Sequence, residues 1–159
     1  WFLPFFSVWW VLFVLREYIE SDGNELLYVH ADRCKLKDIL CLFILYIFNI
    51  TILFSIYTVL FPNMIYEFFK ILSVCIFYLG ITYFFTYLSK SITITLLILI
   101  LLTLANITFG NNKMVFPFYY TLDSITISLF INSYLPLILI GFLLLFAGTI
   151  LNKRWLKFI

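Results

Sequence analysis

His30 and Cys34 stand four residues apart, and Cys41 follows. A neutral imidazole at that distance can take a thiol proton and leave a thiolate able to attack a peptide carbonyl. Counted as metal ligands, the three supply one nitrogen and two sulfurs, fewer than the four of a closed structural zinc site. Cys41 also falls within an apolar run, where a thiol behaves as a small hydrophobe. The plainer reading makes His30 a surface histidine and Cys34 a half-buried thiol. Glu67 and Lys70 lie three apart near the start of another apolar run. Residues at that spacing on a helix face each other, and ionisable groups within membrane runs are functional candidates. Asp123, in an aromatic stretch, reads as a carboxylate facing water. No glycine-rich phosphate loop is present, so the chain is not expected to hold ATP itself.

The elements that must carry these residues are apolar throughout. The chain has 159 residues, of which 65% are hydrophobic, 22% aromatic and 11% charged, with a mean hydropathy of +1.12. Soluble domains are about half apolar and about a quarter charged, so the fold class is an all-α membrane protein, a polytopic helical bundle. Continuous apolar runs rather than ten-residue alternating segments exclude a β-barrel. The formal charge of +2 is too small to argue for a nucleic-acid partner. Three cysteines, two of them inside apolar runs, do not form a disulfide framework. The chain opens on Trp1 and shows neither a basic leader nor a small-residue cleavage site, so it is expected to begin within a longer protein. Its Ile, Phe and Tyr richness points to an AT-rich bacterial genome.

Five spans are predicted within a single domain covering 1–159: Trp1 to Leu15, Ile39 to Phe61, Ile65 to Leu88, Ile92 to Phe109, and Ser133 to Leu151. The first is slightly short of the 17–25 residues a span needs, as the inner part of a longer helix would be. Trp9 and Trp10 lie inside that run and are expected to pack on other helices. Pro62-Asn63 and Ser89-Lys90-Ser91 make tight turns, and Gly110 to Lys113 breaks the helix. Residues 110–132 read as an extracellular interfacial or re-entrant segment. With Arg16 on the cytoplasmic side, Arg33, Lys35, Lys37, Lys90, Lys153, Arg154 and Lys157 join it. Lys113 then lies outside and Lys70 just inside a span, an asymmetry that follows the positive-inside rule.

The stretch from Arg16 to Asp38 holds six acidic and four basic residues of the chain's eighteen charged ones. A segment so charged stays in water against the membrane face. Asp22 and Glu25 have the spacing of a capping box, and a short amphipathic helix is predicted from Asn24 to His30. Asp32 is a candidate second cap for the helix carrying Lys35 and Lys37.

The order Glu17, Glu20, Gly23, Glu25-Leu26-Leu27-Tyr28, then Arg33 and Lys35 and a long span, resembles the type 2 ABC transporter permease family. Val29-His30-Ala31 stands where the family commonly has a proline, and Asn24 where it has threonine. The resemblance implies a six-helix permease of which five helices are visible, the family's first lying before Trp1. It implies a coupling helix within 16–38 that docks in a groove of an ATP-binding subunit. Gly23, Leu26, Leu27, Tyr28 and His30 would form the docking segment, with Glu20, Glu25, Arg33 and Lys35 as its charged rim. It further implies a second permease subunit, the same or homologous, and ATP and Mg held by the partner, with no cofactor or metal in this chain. The expected role is export of a lipid, peptide or amphipathic drug-like cargo across the bacterial cytoplasmic membrane, without catalysis by this chain.

Two other classes compete. A membrane cysteine peptidase would use His30 and Cys34, although Leu27-Tyr28-Val29 stands where such enzymes carry a basic, glycine-rich approach. A structural subunit of a larger complex would suit spans that carry few polar side chains, as would an apolar transport path.

Overall fold

The computed structural model describes residues 2–20, 35–61, 64–109 and 130–155. Among these the chain is nearly all helical, without strands. The described residues form five α-helices: α1 Phe2–Ile19, α2 Lys35–Leu60, α3 Met64–Ser89, α4 Ile92–Phe109 and α5 Leu135–Trp155. A π-helical turn, Phe130–Tyr134, leads into α5. Four runs are long and apolar enough to cross a membrane: Phe2–Ile19, Leu36–Leu60, Ile65–Ser89 and Phe130–Asn152. In α4 the apolar run counted this way is Ile92–Thr108, just below the 18-residue length.

The local sequence explains the helices. Neither α2 nor α4 contains Gly or Pro. Their many Ile and Thr residues are mediocre helix formers in water, but hydrocarbon obliges every backbone N–H and C=O to bond within its own segment. Pro4 sits in the first turn of α1, where its missing N–H is harmless, and its carbonyl accepts from Ser7 Oγ at 2.6 Å. Pro136 lies two residues past the π turn, in the first turn of α5. A residue that supplies no N–H frees a carbonyl one turn upstream, and a widened turn is a local adjustment to that loss. Between α3 and α4 the chain reverses through Lys90, at φ 59°, with Ser89 Oγ accepting from the Ser91 amide at 3.4 Å.

The helices reach further into the charged stretch than the apolar runs alone indicate. Helix α1 continues through Arg16 to Ile19, and α2 begins at Lys35, ahead of Ile39. The predicted capping box, coupling helix and second cap fall between these ends and lie outside the described residues. So do the Pro62-Asn63 turn and most of the predicted re-entrant segment.

Helix α3 is the hub: it packs against all four others, whereas α5 rests on α3 and the π turn alone among the described elements. In its most apolar window 61% of α3 is buried, against 17% of α2. The α3–α5 contact is a backbone-on-backbone crossing. A Cβ built on Gly80 would overlap the Gly141 carbonyl oxygen, and one on Gly141 would lie 3.0 Å from the Ile76 carbonyl oxygen. A Cβ on Gly148 would lie 2.5 Å from Tyr83 Cδ1. Helices in lipid gain nothing from hiding apolar surface from each other, so small residues that let backbones approach supply the attraction. Around this hub Val8, Val11 and Leu15 of α1, Ile39 of α2, Leu79 of α3 and Leu99 of α4 close the core.

The outward faces are apolar too, with Phe48, Ile56, Leu101, Phe142 and Phe146 all exposed. Trp10 belongs with them. It was expected to pack on other helices but is 62% exposed, with its ring tilted against Phe13 of its own helix. Trp9 is half-buried between Phe5 and Phe13.

Candidate functional site

Three groups of polar side chains stand out against this background. The first joins the helix ends that flank 21–34. Glu20 Oε1 accepts from the amide of Ile92, the first residue of α4, at 2.8 Å. A carboxylate there satisfies one of the orphan N–H groups of the helix start and complements its dipole. The other carboxylate oxygen lies 3.9 Å from Arg16 Nε. Tyr18 Oη donates to Asp38 Oδ2 at 2.8 Å, tying the end of α1 to the first turn of α2. Beside these ties a cleft of about 330 Å³ opens between α1 and α4, lined by Trp9, Phe13, Arg16, Glu20, Thr93 and Leu96 among others.

Of the residues expected to dock an ATPase, Glu20 is therefore committed to α4, with a third of its side chain exposed. Lys35 is the first residue of α2. Gly23, Glu25, Leu26, Leu27, Tyr28, His30 and Arg33 lie outside the described residues, as does Cys34. Cys41 is exposed on α2.

The second group is Glu67 and Lys70, one turn apart on α3. Lys70 Nζ donates to Glu67 Oε2 at 3.0 Å. The lysine is 1% exposed, while the glutamate side chain keeps 33% exposure. Lys70 is buried and does not snorkel outward. The π turn packs on the same helix: Phe69 meets Phe130, which stacks on the buried Tyr134, and Tyr134 lies within electrostatic reach of Glu67.

This asymmetry makes an expectation. Glu67→Ala leaves a buried ammonium without its carboxylate and should destabilise the bundle by about 1–3 kcal/mol, the partial exposure trimming a fully buried pair's loss. Lys70→Met removes the buried charge and leaves a carboxylate with a third of its side chain exposed, so its effect should stay within about 1 kcal/mol. Chemical unfolding in detergent checks the order; equal losses would refute it.

The third group fills the α3–α4 interface, where the composition had suggested apolar walls. Thr82, Thr86 and Thr95 are fully buried, and Tyr78, Thr103 and Asn106 nearly so. Tyr78 Oη and Thr103 Oγ1 pair at 3.1 Å, and Thr86 Oγ1 lies 3.2 Å from Thr95 Oγ1. The four threonines also bond carbonyls one turn back on their own helices. Asn106 lies beside the Tyr78 hydroxyl, and its Oδ1 is buried with no hydrogen-bond donor among the described residues. A bare buried acceptor costs about 1–3 kcal/mol. The four-residue recurrence of Tyr78, Thr82 and Thr86 was visible in the sequence as a stripe on one helix face; its partner stripe was not.

Among the described residues no three His, Cys, Asp or Glu side chains gather as metal ligands. No protein-family model, curated protein or solved structure matches the chain.

Proposed function

We propose that this chain is the membrane-spanning permease subunit of an ATP-driven transporter of the ABC type. In this reading all five helices cross the bacterial cytoplasmic membrane. Helix α4, 18 residues long, rises about 27 Å, close to the hydrocarbon thickness of about 30 Å. The basic residues place 16–38 and the C-terminal end of α5 in the cytoplasm. Residues 110–132 then lie outside.

The observation that carries the reading is the setting of the acidic, glycine and Glu-Leu-Leu stretch. The helix ends on either side of 21–34 are cross-tied by Tyr18–Asp38 and by Glu20–Ile92. A push on that segment therefore reaches α1, α2 and α4 together. A coupling element needs this stiffness, since force delivered to a slack loop moves nothing. The work is mechanical: closure of a partner ATPase, which holds ATP and Mg, displaces the segment and tilts the helices around α3. A second permease completes the transporter, and its cargo is a lipid, peptide or amphipathic drug-like molecule. The chain itself performs no catalysis.

Gentle purification of the native complex, followed by mass spectrometry, tests this. An ATP-binding subunit in stoichiometric amount is the expected result. Its absence, together with peptide-cleaving activity that Cys34→Ser abolishes, would replace the permease with the peptidase.

A further inference from the structure

The α3–α4 interface differs in kind from the α3–α5 interface. At α3–α5 two backbones touch through Gly80 and Gly141, and Gly148 seats against the Tyr83 ring. At α3–α4 the cross-helix contacts are hydroxyl pairs, at 3.1 and 3.2 Å. Water can replace each such pair at little loss, because a bridging water is nearly as good as the direct bond. Tyr78, Thr82 and Thr86 on α3 face the stripe of Thr95, Thr103 and Asn106 on α4, and none of the six is more than 6% exposed. The cleft beside Arg16, Glu20 and Thr93 opens at the same end as the Thr86–Thr95 pair. At the other end of the stripe sits Asn106 Oδ1, buried and without a donor among the described residues.

We propose that the α3–α4 seam is a hydratable path through the bundle, and that Asn106 is its receiving site for an O–H or N–H donor. The donor is either water or a hydroxyl or amine group of the cargo. The site suits such a donor rather than a bare divalent cation, which takes six or more oxygen ligands including carboxylates; Tyr78, Thr103 and Asn106 offer three neutral ones. Leu99, fully buried on the α4 stripe between Thr95 and Thr103, interrupts the hydroxyls and acts as an apolar constriction that closes by dewetting. The cargo half of the proposal rests on the permease reading, whereas hydration of the seam does not.

The test is thiol labelling of the full-length chain in native membranes, with Cys34, Cys41 and Cys75 changed to Ser. Single substitutions Thr103→Cys, Asn106→Cys and, as the lipid-facing control, Leu104→Cys are exposed to a charged, membrane-impermeant methanethiosulfonate reagent. Only a hydrated thiol forms the reactive thiolate, so Thr103→Cys and Asn106→Cys should react about tenfold faster than Leu104→Cys. Adding Leu99→Thr should raise the rate at Thr103→Cys by a further severalfold at unchanged protein level. Labelling that is the same with and without ATP assigns the site to resident water. Labelling that appears only with ATP assigns it to the transport cycle and its cargo. Rates no faster than Leu104→Cys in both conditions overturn the proposal. If the seam labels but no ATP-binding subunit accompanies the chain, the path stands and the permease reading falls.

Discussion

Gly80→Leu should leave no assembled protein. The position lies where α3 and α5 cross, and even a methyl group there would overlap the Gly141 carbonyl oxygen. What blocks it is backbone, which cannot rotate aside as a side chain can. Overpacking of a well-packed core costs about 1–3 kcal/mol where neighbours can give, and more where they cannot. Helix α5 has no other described helix to rest on, so separating it from α3 releases the last span entirely. Gly80→Leu should therefore abolish the folded band in detergent, and Gly80→Ala should lower unfolding stability by about 2–3 kcal/mol. Gly141→Ala meets the Ile76 carbonyl oxygen at a less severe 3.0 Å and should cost less. Wild-type stability in Gly80→Leu would mean that the two helices do not cross here.

Leu27→Asp should uncouple ATP hydrolysis from transport. If Leu27 is an anchor of the docking segment, an aspartate places a charge in a desolvated groove and removes an apolar contact. Losing such an anchor costs about 2 kcal/mol or more, roughly thirtyfold in docking affinity. Hydrolysis by the partner should continue while transport falls to background. Membrane insertion should be unaffected, since orientation follows Lys and Arg rather than acidic residues. Unchanged transport in membranes containing normal amounts of the mutant chain would sink the docking assignment.

Helix number and approximate limits were legible because composition alone requires helices where the surroundings offer the backbone no partners. The reversal at Ser89-Lys90-Ser91 was legible for the same reason: it is a polar break between two apolar runs. The helix carrying Lys35 and Lys37 into the second span was legible. The end of α1 was not, because charge does not end a helix and Arg16 to Ile19 continue helical backbone beyond the apolar run. The Glu20–Ile92 tie could not be read, since the partners are 72 residues apart and a backbone amide leaves no mark in composition. Glu20 instead suggested a partner's surface because it sits in a charged stretch. The glycine crossing did leave a signal. The chain has five glycines, and three of them lie in apolar helices, where only close approach gives glycine an advantage. The polar seam was missed because the spans were read for how few polar residues they hold, not for whether those residues share a face.

Everything in the permease reading depends on what touches the segment between α1 and α2. The most direct measurement replaces Leu27 with a photo-crosslinking phenylalanine analogue in cells, with the same replacement at lipid-facing Leu104 as control. The account predicts one protein adduct at Leu27, an ATP-binding subunit identified by mass spectrometry, and none at Leu104. An adduct lacking a nucleotide-binding protein, or no protein adduct at either position, would contradict it.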